Sequence, residues 1–271
     1  MGNITIVTAF FDIGRSTWTQ DKGLPHYLYR ETQTYFDRFG IMAELNNEMV
    51  IFTSADLVDR VWEYRKGKED ITEVVAVDFA DEFKDLRLAI ASIQTNPEYQ
   101  KKINPYQARN PEYWSPDYVL VNMLKTHFVN RAINNHKVTN QAVAWVDFGY
   151  CRNKEEFVSG TEWNYDFDTG HIHMFKLKDF DTSNDNIERL IKDNDVHMTG
   201  GSIIGGKEVW PTFDKLIQHS FNELYKHNLV DDDQTLLLMS YLYKPEMFEL
   251  RQVSHGEDWL RHNSVFKKYN K

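Results

Sequence analysis

The chain has 271 residues, 41% of them hydrophobic and 14% aromatic, which is enough for a substantial core and excludes a disordered chain. Its 41 acidic residues outnumber its 31 basic residues and leave a formal net charge of -10, which argues against a nucleic-acid partner and allows at most peripheral membrane contact. The single cysteine, Cys151, rules out an internal disulfide. The sequence also lacks a signal-peptide pattern and any apolar stretch near the ~20 residues needed to span a bilayer, so we expect a cytoplasmic protein.

The first part of the sequence alternates short β-branched runs with segments of helical spacing. Such alternation predicts a parallel sheet with flanking helices. Strands are predicted at residues 3–10, 49–53 and 72–79, and helices at about 26–45 and 83–93.

A helix predicted over residues 116–135 leads into the most informative segment, residues 141–150 (QAVAWVDFGY). A short apolar run there ends in Asp147. Because a buried strand cannot easily carry a charge, we expect this carboxylate at the strand's mouth, where ligands of open α/β sheets bind.

Beyond residue 150 the regular alternation of strand and helix patterns ends. We predict a hairpin over 162–177 that turns at 168–170, a Gly-rich strand and turn at 197–206, and helices at 212–227 and 234–242. The whole chain, 1–271, is predicted as one domain in which 1–150 binds a nucleotide and 151–271 faces an acceptor.

Two segments, residues 8–15 (TAFFDIGR) and 145–149 (WVDFG), resemble the bacterial HtrL/YibB family, also called WlaTC/HtrL, and the similarity extends over residues 115–118 (SPDY) and Lys125. Members look like glycosyltransferases of the GT-A fold and occur in genes for surface polysaccharide assembly. The resemblance implies a GT-A-like (Rossmann-like) α/β domain with a mixed, mostly parallel sheet flanked by helices. It also implies transfer of a hexosyl unit, galactosyl or galactofuranosyl, from a UDP-sugar donor to an oligosaccharide or lipid-linked glycan acceptor at the inner face of the cytoplasmic membrane.

In GT-A enzymes the strand corresponding to residues 141–147 usually ends in Asp-x-Asp, which holds a divalent metal against the donor diphosphate. The third position here is Gly149, so Asp147 is the only acid of that motif. The resemblance implies Mn²⁺ or Mg²⁺ as cofactor, with Asp147 as one ligand and His255 as the second. The alternatives are that Asp147 caps a turn at Gly149 and that His255 is a surface-loop histidine.

Thr8 and Arg15, at and just beyond the mouth of the first strand, are the predicted contacts to the nucleotide. The planar fork of an arginine suits a diphosphate because it donates two parallel charged hydrogen bonds. The alternative for Arg15 is an ion pair with Asp12 or Asp21. Lys125 would reach the donor phosphates, although a surface lysine of the helix explains it equally.

Asp233, within the acidic run before the last predicted helix, matches the position where GT-A enzymes carry an acceptor-activating carboxylate. The alternative is that the run only caps the helix N-terminus. Gly201 belongs to two glycine pairs that would let the backbone approach a sugar closely, or that simply form turns.

Two further classes of function stay open. His171 and His173 face the same side if both lie in a strand, and together with Asp147, His197 and His255 they would suggest a metal-dependent hydrolase. A non-catalytic carbohydrate-binding protein would draw on the seven tryptophans and fourteen tyrosines.

Overall fold

A computed structural model describes residues 3–135, 138–152, 161–181 and 186–253. Within these residues seven strands form one mixed sheet. The strands are β1 (Ile4–Phe10), β2 (Met49–Thr53), β3 (Thr72–Ala76), β4 (Ala142–Val146), β5 (Ile172–Lys176), β6 (Met198–Gly206) and β7 (Phe248–Gln252).

The strand order is β3-β2-β1-β4-β6-β5-β7. Strands β3, β2, β1 and β4 are parallel, β6 runs antiparallel to both of its neighbours, and β7 is parallel to β5. The chain moves outward from β1 to β3 and then returns to place β4 on the other side of β1. At such a switch point the connections leave neighbouring strands in opposite directions, which opens a crevice at the strands' carboxyl ends.

Helices cover both faces of the sheet. Strands β1, β2 and β4 are buried along their whole length, which explains why they read as continuous apolar runs. The helices are α1 (Thr32–Ala43), α2 (Val58–Arg65), α3 (Phe79–Glu82), α4 (Lys84–Gln94), α5 (Pro97–Lys102), α6 (Pro116–Met123), α7 (Lys125–Asn135), α8 (Ile187–Asp193), α9 (Trp210–Lys226) and α10 (Asp233–Tyr243).

Each face of the sheet has its own hydrophobic core. The larger core packs α4, α6, α7, α9 and α10 against side chains such as Val7 and Trp145. The smaller one lies under α1 and α2 and includes Ile6, Phe36 and Phe148. The predicted architecture is confirmed: an α/β fold with a mixed, mostly parallel sheet flanked by helices. Among the described helices, none is long and apolar enough to cross a membrane.

The helix predicted from residue 26 begins later, at Thr32. The backbone carbonyl of Leu28, which a continuous helix would bond to Thr32, instead accepts two hydrogen bonds from the guanidinium of Arg15. The helix predicted over 116–135 is broken at Leu124 into α6 and α7.

The predicted hairpin over 162–177 is wrong. Only its second half forms a strand, β5, and this strand pairs with β6 and β7. The backbone of Trp163 instead exchanges hydrogen bonds with the buried side chain of Asn47, at 2.7 and 2.9 Å, so this stretch is held against the smaller core and not in the sheet.

Candidate active site

A cavity of about 310 Å³ opens at the carboxyl ends of β1 and β4, at the switch point of the sheet. Its walls come from the loops after β1 and β4, from α1 and α6, from the first residues of α7 and α10, and from β6. Because these elements come from both ends of the chain, both predicted halves contribute to one site.

Lys125, the first residue of α7, lies at the centre of a buried ionic cluster. Its ammonium donates to Asp233 Oδ2 at 2.7 Å, contacts Asp147 Oδ1 at 3.0 Å, and donates to the carbonyl of Gly200 at 3.1 Å. The Lys125 side chain is 6% exposed and that of Asp233 is 8% exposed, whereas that of Asp147 is 38% exposed and open to the cavity. We call Lys125, Asp147 and Asp233 the acid–lysine network.

Burial and charge act against each other in this network. Burial disfavours the ammonium of Lys125, but the two carboxylates outweigh it, so the pKa of Lys125 is raised. Burial also disfavours the charged form of Asp233 and therefore raises its pKa. The nearby ammonium only partly offsets this shift. Asp233 is thus a carboxylate with increased affinity for a proton, as a general base requires.

Gly200 in β6 is what allows this arrangement. A Cβ atom at Gly200 would lie 1.5 Å from Asp233 Oδ2, so any side chain there would expel the carboxylate. The neighbouring Gly201 lines the cavity, as predicted for close approach of a ligand, and its carbonyl accepts the backbone N–H of Asp147 at 2.9 Å.

Asp147 follows β4 directly. Its backbone carbonyl, and not its carboxylate, closes the following turn by accepting the N–H of Tyr150 at 2.9 Å. The carboxylate accepts the indole N–H of Trp145 at 2.7 Å and contacts Lys125. The side chain therefore faces the cavity, and the alternative of a simple turn cap does not account for it.

Tyr35 explains why no second acid follows Asp147. A Cβ atom at Gly149 would lie 2.7 Å from a ring carbon of Tyr35. That ring packs 4.8 Å from the ring of Phe10, and its hydroxyl accepts a hydrogen bond from Arg15 at 3.0 Å. An aspartate at position 149 would collide with a side chain that is held on two sides.

Four arginines converge on the same cavity, and sequence reasoning found only one of them. Arg15 comes from the loop after β1, Arg30 precedes α1, Arg38 lies in α1, and Arg152 follows the Asp147 turn. We call these four residues the arginine cluster. Within the described residues none of them forms an ion pair with a carboxylate, although the chain contains 41 acidic residues.

The pKa of Arg38 reports this crowding of charge. It is lowered to about 10, first by burial and then by the positive charges of Arg30, Arg152 and Arg15. The only described hydrogen bond from its guanidinium is a long one, 3.4 Å, to the carbonyl of Gly149. Partly buried positive charges are unfavourable without counter-charges, and the described residues provide none, so the arrangement could accommodate an anionic ligand.

Arg15 is held by its own chain and still lines the cavity. Its guanidinium donates to the carbonyl of Leu28 and to Tyr35, and it lies 5.2 Å from the ring centre of Trp18. The alternative ion pair with Asp12 is not formed; the carboxylate oxygens of Asp12 accept hydrogen bonds from the Gly14 backbone and the Thr32 hydroxyl. Asp21, the other predicted alternative, forms no ion pair with Arg15 within the described chain either.

Thr8 does not contact the cavity. It lies inside β1, paired in register with Ile51 of β2, and it is completely buried. Strand alternation turns its side chain to the same face of the sheet as Ile6 and Phe10. The prediction that Thr8 contacts the nucleotide is therefore not supported, and the cavity's contacts from β1 begin at Ala9.

The three aspartates at the start of α10 have different partners. Asp232 is the N-cap and accepts the backbone N–H of Gln234 at 3.0 Å, and Asp231 accepts the hydroxyl of Thr235 at 2.5 Å. Asp233 does neither and reaches Lys125 instead. The capping interpretation is confirmed for Asp232, and the role of Asp233 as an acceptor-activating carboxylate stays a prediction.

The described carboxylates, as arranged, do not fit a divalent-cation site in the cavity. The ammonium of Lys125 already lies between Asp147 and Asp233 and would repel a second cation there. Among the described residues, three potential ligand atoms come within 4.8 Å of one another only at Asp168, His171 and Glu249, outside this cavity. His255 lies outside the described residues, so its role as a ligand and the need for Mn²⁺ or Mg²⁺ stay predictions.

His171 and His173 lie toward the other end of the sheet from the cavity, level with the start of β4. Ile172, between them, is paired with Gly205, which pairs in turn with Val143 near the start of β4. His171 Nδ1 is 2.8 Å from Asp168 Oδ2, whereas the buried His173 donates through Nε2 to the backbone carbonyl of Asp168. The grouping of these histidines with Asp147 in one metal site is therefore wrong.

Most of the tryptophans invoked for a carbohydrate-binding protein are core, whereas only three of the fourteen tyrosines, Tyr99, Tyr113 and Tyr150, are buried among the described residues. Four of the seven tryptophans, Trp18, Trp145, Trp163 and Trp210, are buried. Their number therefore gives no reason to infer a sugar-binding surface.

Comparison with known sequences decides the family. The profile of the HtrL_YibB family, described as a bacterial protein of unknown function, matches residues 2–268. This chain belongs to the HtrL/YibB family. Protein HtrL of Escherichia coli (strain K12) is 41% identical over 256 residues, which cover 93% of this chain and 89% of HtrL.

Solved structures give more distant matches to this family member. Mouse xyloside xylosyltransferase 1 in its apo form aligns with 92% of the chain and 84% of its own length, at 10% identity and a TM-score of 0.45. The inositol-1-phosphate CTP transferase from T. maritima aligns with 94% of the chain and 86% of its own length, at 13% identity and a TM-score of 0.42.

Proposed function

We propose that this chain is a glycosyltransferase that moves a hexosyl unit, galactosyl in its pyranose or furanose form, from a UDP-sugar to a bacterial surface glycan. One observation carries the proposal: a cavity at the switch point of the sheet combines an arginine cluster that has no acidic partner among the described residues with a partly buried pair of carboxylates. A sugar nucleotide has both features that such a cavity complements, an anionic diphosphate and a neutral sugar rich in hydroxyls.

Arg38, Arg152 and Asp147 lie around the short turn that the backbone N–H of Tyr150 closes. Arg38 donates to the Gly149 carbonyl, two residues beyond Asp147. A diphosphate on the arginines would therefore place its attached sugar toward Asp147 and Gly201. Hydroxyl groups of the sugar would find acceptors in the exposed carboxylate oxygens of Asp147.

In the transfer, the acceptor hydroxyl oxygen forms a bond to the anomeric carbon of the sugar. The bond from that carbon to the diphosphate oxygen breaks, and its electron pair leaves on the diphosphate. We assign Asp233 to receive the hydroxyl proton, because its carboxylate lines the cavity and burial raises its pKa. Contact with the inner face of the cytoplasmic membrane would bring the chain to an oligosaccharide or lipid-linked glycan acceptor.

The test is release of UDP from a panel of UDP-hexoses by the purified protein, with and without oligosaccharide acceptors. We expect release from one donor, and a fall of about 100-fold or more in Asp233→Asn, the range typical for loss of a general base. Asp231→Asn is the matched control, because Asp231 is a buried neighbour that does not line the cavity. Absence of UDP release from every donor would overturn the proposal, and full activity of Asp233→Asn would remove its assigned role.

A further inference from the structure

We infer that the site binds the diphosphate of its donor without a divalent cation, because the arginine cluster and Lys125 supply the positive charge that a metal ion would provide. The inference rests on the proposed function, since it concerns the donor of that reaction. It assigns a diphosphate-binding role to Arg30, Arg38 and Arg152.

The arginine cluster gives its part of the cavity a concentration of positive charge. Four guanidinium groups line it without a carboxylate partner among the described residues, and the pKa of Arg38, although lowered, leaves it protonated at neutral pH. A diphosphate carries several negative charges that a protein must compensate. Arginine is suited to this because it stays charged and presents paired N–H donors.

Lys125 occupies the position between two carboxylates that a metal ion would take. Where two carboxylates of a transferase hold a metal ion, the ion lies between them and carries the positive charge. Here the ammonium lies between Asp147 and Asp233, at 3.0 and 2.7 Å, and a third contact holds it to the Gly200 carbonyl. The side chain is almost fully buried and cannot swing away without leaving the Asp233 carboxylate buried and unpaired.

Packing around Tyr35 also excludes a second carboxylate ligand at position 149. The second acid of an Asp-x-Asp motif would have to come from position 149, and Tyr35 occupies that space. Tyr35 is itself held by Arg15 of the arginine cluster. The same packing that removes the second metal ligand therefore brings an arginine to the cavity.

Among the described residues, the guanidinium donors without a partner are sufficient for a diphosphate. Arg15 uses its Nε, Nη1 and Nη2 atoms on its own chain, but the guanidinium groups of Arg30 and Arg152 donate no hydrogen bond to any described residue. Arg30 lies 5.8 Å from the ring centre of Tyr35, which fixes the guanidinium plane without using its N–H groups. These unused donors point to an oxygen-rich anion as the missing partner.

The test is calorimetric titration of UDP into the purified full chain, first in excess EDTA and then with Mn²⁺ or Mg²⁺ added. We expect dissociation constants that agree within about threefold, displacement of UDP by inorganic pyrophosphate but not by uridine, and a loss of at least about tenfold in affinity in Arg38→Met and Arg152→Met. Arg87→Met is the matched control, because Arg87 pairs with Asp117 outside the cavity.

The possible results separate the inference from the proposed function. UDP binding that requires Mn²⁺ or Mg²⁺ would overturn the inference and leave the transferase intact. Metal-free binding that is unchanged in both arginine variants would overturn the role of the cluster. Absence of UDP binding under every condition would overturn the inference and the proposed UDP-sugar donor together.

Discussion

Removal of the Lys125 ammonium is the sharpest perturbation of the acid–lysine network. In Lys125→Met the side chain keeps its approximate length and apolar stem, so the change isolates the charge. It leaves the Asp233 carboxylate, 8% exposed, without its 2.7 Å partner. Breaking a buried ion pair on one side costs about 3–5 kcal/mol, because the remaining charge stays desolvated. We expect the free energy of unfolding to fall by that amount at neutral pH.

Urea denaturation, followed by circular dichroism at several pH values, measures this free energy. The ammonium favours the charged form of Asp233. Without it, Asp233 binds a proton more readily, and its pKa in the folded state lies further above the unfolded value. A group with a raised folded-state pKa contributes stability below its unfolded pKa that is lost as pH rises through the folded one. The deficit of Lys125→Met should therefore shrink toward acidic pH.

The double variant Lys125→Met/Asp233→Asn is the control for this reasoning. It replaces the ion pair with two neutral side chains and should recover much of the stability that Lys125→Met loses. A single variant destabilised by less than about 1 kcal/mol, or a double variant less stable than Lys125→Met, would refute the argument that the network is a coupled buried pair.

Three further predictions concern single residues. Gly200→Ala should abolish UDP release, because its Cβ would lie 1.5 Å from the Asp233 carboxylate, and enzyme assays of the folded variant measure this. Arg38→Met should leave the free energy of unfolding unchanged within about 1 kcal/mol, or raise it, since it removes one of several crowded positive charges. Asp231→Asn should weaken the pH dependence of stability, because burial raises the pKa of Asp231 to about 7 and its contribution in the wild type is lost as pH rises through that value.

Each of these has a contrary result. For Gly200→Ala the comparison is Gly205→Ala, whose Cβ would press on the flexible end of Ile172 outside the cavity; equal activity of the two variants would contradict the role of Gly200. A loss of more than about 2 kcal/mol in Arg38→Met would mean that the arginine stabilises the fold. An unaltered stability profile between pH 5 and pH 8 in Asp231→Asn would show that Asp231 does not hold a proton in the folded state.

Much of the fold was predictable because its central strands are buried on both faces. A continuous apolar run such as β4, ended by Asp147, has one plausible place in an α/β sheet. Lys125 and Asp233 were predicted from the family resemblance and Gly201 from its glycine pair, and all three lie beside the cavity. The hairpin over 162–177 failed because a buried side chain, that of Asn47, took the backbone bonds that a partner strand would have made.

The arginine cluster was missed for a different reason. In the sequence, an arginine that enters a cavity looks the same as one on the surface, and what marks Arg38 and Arg152 is that no described carboxylate forms an ion pair with them. Thr8 is the opposite case, a predicted site residue that does not line the cavity. Its motif position suggested a ligand contact, but strand alternation and a location two residues before the strand end bury it. Only the three-dimensional structure distinguishes Gly200, which makes room for Asp233, from its neighbour Gly201.

The most direct measurement is an experimental structure of this chain with UDP bound, prepared in the presence of EDTA. The account predicts the diphosphate in the cavity at the ends of β1 and β4, with its oxygens within hydrogen-bond distance of the Arg38 and Arg152 guanidinium groups. UDP bound elsewhere, or in this cavity with its diphosphate away from the arginines, would contradict it.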